Sequence, residues 1–248
     1  MLITGATSGI GEATARTAAK AHFRVIICGR RTERLEQLKA ELEPFTDVML
    51  LSFDVRNQQD VAAAIRSLPT AWQSIDVLIN NAGNAHGLDP IQTGKISDWD
   101  AMIDINVKGL LYVSHEVIPG MVARKRGHIV NLGSIAGKQT YPNGNVYCAS
   151  KSAVDALTDS MRLDLNPYGI KVTGIHPGMV ETEFSLVRFK GDIQRADKVY
   201  QGLTPLTGQD IAELILFVVT RPAHVVLADI LVLPLAQASA TVVAKTSD

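Results

Sequence analysis

Cysteine is scarce in this chain, with two residues among 248, Cys28 and Cys148. Both lie in apolar or motif-bearing segments. That excludes a disulfide framework and predicts reduced thiols in a cytoplasmic protein. A surplus of one charge is also missing. Lys and Arg number 24 against 25 for Asp and Glu, a net charge of −1. A near-neutral chain has no electrostatic footprint for nucleic acid or an acidic membrane surface. Long hydrophobic runs are absent, and a run such as Ile215-Leu216-Phe217-Val218-Val219 is far too short to span a bilayer. The opening residues carry neither the charged region nor the apolar stretch of a targeting segment. The histidines are scattered along the chain, without the His/Cys grouping of a metal site, so no metal is expected. His176, beside Pro177, reads as a structural residue at a strand end.

What is present is core material. Hydrophobic residues make up 46%, enough for one large α/β domain. Short apolar runs at 2–3, 25–28, 48–51, 77–79, 128–132, 172–175 and 230–233 alternate with helical patterns. Those patterns cover 9–20, 32–43, 57–67, 97–123, 145–166 and 209–220, and Gly127 and Gly169 read as helix stops. Continuous apolar runs suit parallel strands buried on both faces. The expectation is a single domain over 1–248, a Rossmann-type doubly wound parallel sheet of about seven strands with helices on both faces. A (β/α)₈ barrel is the rival at this length, but barrels place phosphate-binding loops late in the chain. The run before the first glycine is short against a strand of about five or six residues, so a few further residues are expected ahead of Met1. The polar segment 179–207 breaks the rhythm where such a sheet would carry a substrate lid.

Thr4-Gly5-Ala6-Thr7-Ser8-Gly9-Ile10-Gly11 follows the first apolar run and opens a helix. Glycines let backbone approach a pyrophosphate, and the helix start offers free N–H groups and the positive end of its dipole. The gap between the first two glycines is wider than in the generic dinucleotide fingerprint, which leaves an ordinary glycine turn as the alternative. After the second run comes Cys28-Gly29-Arg30-Arg31. An NAD site would place an acid there, whereas arginine accommodates a 2′-phosphate. Two cations heading a helix also oppose its dipole unless an anion joins them. Arg30 and Arg31 therefore predict NADP, with solvated side chains as the alternative.

Tyr147 and Lys151 share a helix face at i, i+4. A phenol titrates near pH 10; a neighbouring ammonium and a positive nicotinamide are together expected to lower that value and fit the tyrosine for acid/base work. Such a pair also arises by chance, but here it has company. Ser134 follows the fifth strand at the carboxyl edge where ligands bind. Asn80-Asn81-Ala82-Gly83 ends the fourth at the same edge, and Asn106 sits among apolar helix residues, where it needs a partner.

Together with Asp54-Val55 and Pro177-Gly178 followed by Thr182, these motifs resemble the short-chain dehydrogenase/reductase family over essentially the whole chain. The resemblance implies that Tyr147 exchanges the proton with the substrate hydroxyl and Ser134 bonds the same oxygen. Lys151 would bind the nicotinamide ribose and tune Tyr147, and Asn106 would hold a proton-relaying water. Gly5, Thr7, Ser8, Gly9, Ile10 and Gly11 would cradle the phosphates. Asp54 and Val55 would border the adenine, with Asn81, Ala82 and Gly83 supporting the cofactor. Pro177, Gly178, Val180 and Thr182 would line the nicotinamide and its phosphate. Relatives commonly pair their long helices into homotetramers, and helices 97–123 and 145–166 carry apolar residues on more than one face.

Within that family, Glu183-Phe184-Ser185-Leu186-Val187-Arg188-Phe189-Lys190-Gly191-Asp192 and the tail with Pro234 and Gln237 resemble the NADP-dependent 3-hydroxy acid dehydrogenases. A carboxylate substrate calls for a cation, preferably arginine, and Arg188 is the candidate. Its alternatives are a solvated lid residue or an ion pair with Glu183. L-Serine, L-allo-threonine and 3-hydroxyisobutyrate are the expected substrates, with malonic semialdehyde for the reverse reaction. Two other readings remain: a reductase of 3-oxoacyl thioesters or other carbonyls, and a non-catalytic NADP sensor.

Overall fold

In the computed structural model, which describes residues 1–246, apolar runs become strands and amphipathic stretches become helices with little shift of boundary. The first half of the chain runs β1 (Leu2–Thr4), α1 (Gly9–Lys20), β2 (Val25–Gly29), α2 (Thr32–Leu42), β3 (Val48–Ser52), α3 (Gln58–Arg66) and β4 (Val77–Asn80). Then come α4 (Ile96–Ile103), a π turn (Asp104–Gly109), α5 (Leu110–Arg124), β5 (Gly127–Leu132), α6 (Ile135–Lys138), α7 (Asn145–Leu165) and β6 (Ile170–Pro177). The remainder holds β7 (Val180–Glu181), α8 (Phe184–Arg188), α9 (Ile193–Asp197), β8 (Leu206–Thr207), α10 (Gly208–Val219) and β9 (Asp229–Val232).

Seven strands form one sheet in the order β3-β2-β1-β4-β5-β6-β9, every pairing parallel. Successive residues of each central strand feed opposite faces, which is why the runs are apolar without alternation. Leu2, Ile26, Leu78 and Ile129 join Val61 of α3, Val113 of α5 and Val154 of α7 in one core. Ile3, Ile27, Ile79 and Val130 join Ala15 of α1, Leu35 of α2 and Ile215 of α10 in the other. At about 25 cal/mol per Å² of apolar surface removed from water, these layers supply the main drive to fold. From β1 the chain works outward through β2 and β3, then returns to start β4 on the other side of β1. That switch point opens a crevice at the carboxyl ends of the strands.

Two expectations need correction. Gly127 does not stop a helix; it is the first residue of β5, and Lys125 takes the left-handed conformation that ends α5 (φ 51°). The single helix expected over 97–123 is interrupted by the π turn at 104–109. Gly169 does stop its helical segment, at φ 69°. No helix among the described residues is long and apolar enough to cross a membrane.

Candidate active site

The loop between β1 and α1 is shaped by backbone contact. Gly5 and Gly9 take positive φ values of 67° and 55°, open to glycine without strain. A Cβ on Gly11 would lie 2.4 Å from both the Gly5 carbonyl oxygen and Asn81 Nδ2, so α1 can start this close to β4 only through glycine. Asn81 seals the join by donating from Nδ2 to the Thr4 carbonyl at 2.9 Å. The hydroxyl of Thr4 accepts from the backbone N–H groups of Asn81 and Ala82. Thr182 packs on the loop from above, its Cγ2 3.0 Å from where a Gly9 Cβ would stand.

Arg30 and Arg31 both line the cleft beside this loop, but their surroundings differ. Arg30 is exposed and, among the described residues, reaches only Asp54, at 3.4 Å, while Asp54 is held more closely by Arg56 at 2.6 Å. Burial raises the Asp54 carboxyl, and the bonds from Arg56 and the charge of Arg30 outweigh it, leaving a net lowering. Arg31 bonds Thr7 Oγ1 through Nε and Nη2, Ser8 Oγ through Nη2, and Glu183 through Nη1. Glu183 also takes Arg34 Nη1 at 2.7 Å. Sequence reasoning missed Arg34 and Glu183 as site residues; partners 149 positions apart leave no local signal.

The remaining polar groups converge on the edge of β4 and β5. The π turn carries Asn106 inward, where Nδ2 donates to the Asn84 carbonyl at 2.8 Å and to Ser150 Oγ at 3.0 Å. Its Oδ1 accepts from the Asn84 N–H. Both faces of the amide are thus engaged, and a Cβ on Gly83 would lie 3.1 Å from Asn106 Oδ1 and 3.4 Å from Lys151 Nζ. Ser134 caps α6 through its hydroxyl, which accepts from the Ala136 N–H. Below them Asn80 donates to Ser114 and Asn131, and Asn131 to Thr158, a buried polar ladder tying β4 and β5 to α5 and α7. Burial in such a ladder requires each donor to find a partner.

Tyr147 and Lys151 project from one face of α7 and are both buried. Lys151 Nζ donates to the Leu132 carbonyl at 2.8 Å, and burial lowers its pKa to about 8. Burial pushes the Tyr147 phenol up, and the opposing influences are the Ser134 hydroxyl and the Arg188 charge. Desolvation is the largest influence on the phenol here, and the Lys151 ammonium bonds a backbone carbonyl.

Segment 179–207 completes the enclosure. Arg188 donates from Nε to the Gly87 carbonyl and from Nη1 to the Tyr141 hydroxyl at 2.9 Å. Its guanidinium carbon stands 5.6 Å from the centre of the Tyr147 ring. It does not pair with Glu183, and Lys190 is bound to Asp98 at 2.8 Å. Phe184 packs on Tyr147 with ring centres 5.5 Å apart. Gln237 reaches back from the tail to accept the Met179 N–H at 2.9 Å. Tyr141 escaped the sequence reading because its role is set by where Arg188 folds.

Arg30, Arg31, Asp54, Asn81, Ala82, Gly83, Ser134, Tyr147, Lys151 and Arg188 line a cleft of about 570 Å³ with Gly5, Thr7, Ser8, Gly9, Ile10, Val55, Pro177, Gly178, Val180 and Thr182, while Gly11 and Asn106 are not part of its wall. The loop, the free donors of Arg30 and the buried Lys151 amine fit a dinucleotide that carries a 2′-phosphate. His176, far from other histidines in sequence, meets Asp229 at 2.9 Å and Asp155 at 3.5 Å behind the cleft. The charge there is balanced by Lys138, 2.7 Å from Asp155 and 2.6 Å from Asp229. Burial lowers the His176 pKa.

The short chain dehydrogenase profile matches residues 1–191. The chain belongs to this family. It is 47% identical over 241 residues to an NADP-dependent 3-hydroxy acid dehydrogenase of Salmonella typhi, covering 97% of this chain and 96% of that one. A sulfoacetaldehyde reductase 2 of Chromohalobacter salexigens is 46% identical over 239 residues, covering 96% and 95%. A closed form of serine dehydrogenase complexed with NADP+ superposes with a TM-score of 0.93 at 44% identity, covering 99% of both chains. Like other short chain dehydrogenases, this one is an oxidoreductase acting on alcohol groups.

Proposed function

We propose that this dehydrogenase uses NADP to oxidise the β-hydroxyl of a small 3-hydroxy acid, and to reduce the matching semialdehyde in reverse. The observation that carries the substrate class is Arg188, a cation beside the Tyr147 ring with one terminal nitrogen unengaged among the described residues. A short acid can then set its carboxylate on the guanidinium while its hydroxyl meets Tyr147. When bound, NADP accepts or returns the hydride at the carbinol carbon. Tyr147 moves the hydroxyl proton, and Ser134 bonds the substrate oxygen. Lys151 holds the ribose and Asn106 the path to solvent, while Phe184 keeps water from the phenol. Arg30 reads the 2′-phosphate. The names and identities of the relatives support this reading. A homotetramer fits it too, since Leu163 of α7 and Leu111 of α5 are exposed.

The test is NADPH formation from NADP with L-serine, L-allo-threonine, 3-hydroxyisobutyrate and uncharged alcohols, together with sulfoacetaldehyde reduction. Arg188→Ala is expected to cut turnover of the acids by about 10- to 100-fold, the loss of a charge-assisted bond, and to leave simple alcohols unchanged. Equal loss on acids and alcohols would remove Arg188 as the anchor. Preference for the sulfonate would keep the anchor and change the acid group.

A further inference from the structure

We propose that Glu183 is a positioning residue, a latch that holds the lid shut against the phosphate-loop side of the cleft and slows cofactor release. The inference rests on the proposed NADP reading and adds a role for residues outside the reacting centre. Thr182 and Glu183 are the lid residues nearest the glycine loop, with Thr182 against Gly9. Glu183 spans the gap beside them. Its two carboxylate oxygens take separate arginines, Arg31 Nη1 at 2.8 Å and Arg34 Nη1 at 2.7 Å.

Arg31 is committed to this bridge. Nε and Nη2 are spent on Thr7 and Ser8, and Nη1 carries Glu183. The guanidinium thus joins the glycine loop to the lid. Arg30 is not drawn into the bridge, so a 2′-phosphate and the latch can coexist, each on its own arginine. The bridge matters for the lid because α8 starts at the next residue, Phe184, and bears both Phe184 against Tyr147 and Arg188. Opening the cleft by moving α8 outward must break both ion pairs. Glu183 is about as exposed as its partners, 38% against 42% and 47%. Each pair is therefore a modest, reversible clasp rather than a permanent tie.

The competing idea is that Glu183 repels the cofactor phosphates and hinders binding. The two ideas predict opposite signs. Release of NADPH would be followed by its fluorescence after a chase with excess NADP, for the wild type, Glu183→Ala, Arg34→Gln and the double variant. With a latch, Glu183→Ala releases NADPH about fivefold faster, the order expected from two partly exposed pairs. Arg34→Gln releases it about twofold faster, and the double variant is no faster than Glu183→Ala alone, because the partner is already gone. Thermal unfolding close to the wild type in each variant shows that the frame is intact. An unchanged or slower release from Glu183→Ala overturns the latch, as do effects that multiply in the double variant. A wild type that binds no NADPH at all would instead sink the cofactor reading.

Discussion

Gly11 is buried at the start of α1 and Arg188 lines the cleft, and the forces that place them differ. Gly11 stands where one added carbon would strike the backbone of Gly5, inside a frame of seven paired strands and two packed layers. Arg188 ends a five-residue helix in a segment whose only strand pair is two residues long. Polar contacts hold it there: Arg31 and Arg34 to Glu183, Lys190 to Asp98, Arg188 to Tyr141. Close packing tolerates almost no change in volume, whereas exposed ion pairs are exchanged at little cost. A fixed cofactor cradle paired with an adjustable substrate wall lets one family change substrates without redesigning its frame.

The largest break is expected in the frame, at Tyr147. Tyr147→Phe removes the proposed proton carrier and should lower turnover about 10²- to 10⁴-fold, measured at saturating NADP. Burial holds the wild-type phenol above its usual value, so the protonated form prevails near neutrality. Reduction uses that proton and should stay flat between about pH 6 and 8, while oxidation, which needs the phenolate, should climb with pH. Next comes Gly11→Ala, expected to weaken NADPH binding more than about tenfold and to lower stability by about 1–3 kcal/mol, read by titration and urea unfolding.

Acid should also attack the frame first. Burial depresses the pKa of His128 from 6.5 to about 4. Its stabilising contribution is complete above pH 6.5 and drains away as pH falls towards about 4, because the unfolded chain takes up the proton first. The wild type should lose up to about 3 kcal/mol across that window, and His128→Asn should flatten the loss, measured by urea unfolding at both ends. The smallest effect belongs to the lid. Lys190→Ala breaks a half-exposed pair and should raise the KM for acids by less than about threefold, with no shift in the unfolding midpoint. A large unfolding effect there would erase the distinction between frame and lid.

Legibility in the sequence follows the same division. Val25-Ile26-Ile27-Cys28 and Ile129-Val130 announce buried parallel strands because both faces of each must be apolar, a local property of the run. Tyr147 with Lys151, Ser134 after β5 and the glycine loop after β1 are readable because their chemistry lies within a few residues of a strand end or a helix face. Glu183, Arg34 and Tyr141 escaped notice because their partners are brought to them by the fold, 149 positions away for Glu183 and Arg34, and 47 for Tyr141 and Arg188. Gly127 misled because glycine is the usual residue after a helix, yet Lys125 took up the left-handed turn. The desolvation that raises the Tyr147 phenol is likewise set by the fold, whereas the charge at i+4 is visible in sequence.

The π turn at Asp104–Gly109 bears on how this family can change length. Asp98 and Met102 of α4, and Leu110, Val113, Val117 and Met121 of α5, are all turned inward. Their spacing along the chain is slightly wider than the 3.6 residues of an α-helical turn. The wide turn absorbs that surplus, so both halves keep one face on the molecule and Asn106 points inward between them. Deleting one residue of the turn would remove that surplus and leave an ordinary helix whose two halves keep their inward face, but Asn106 would lose the widened turn that seats it between them. Length change in this stretch is thus limited by the seat of Asn106 and not by the register of α5 on the sheet.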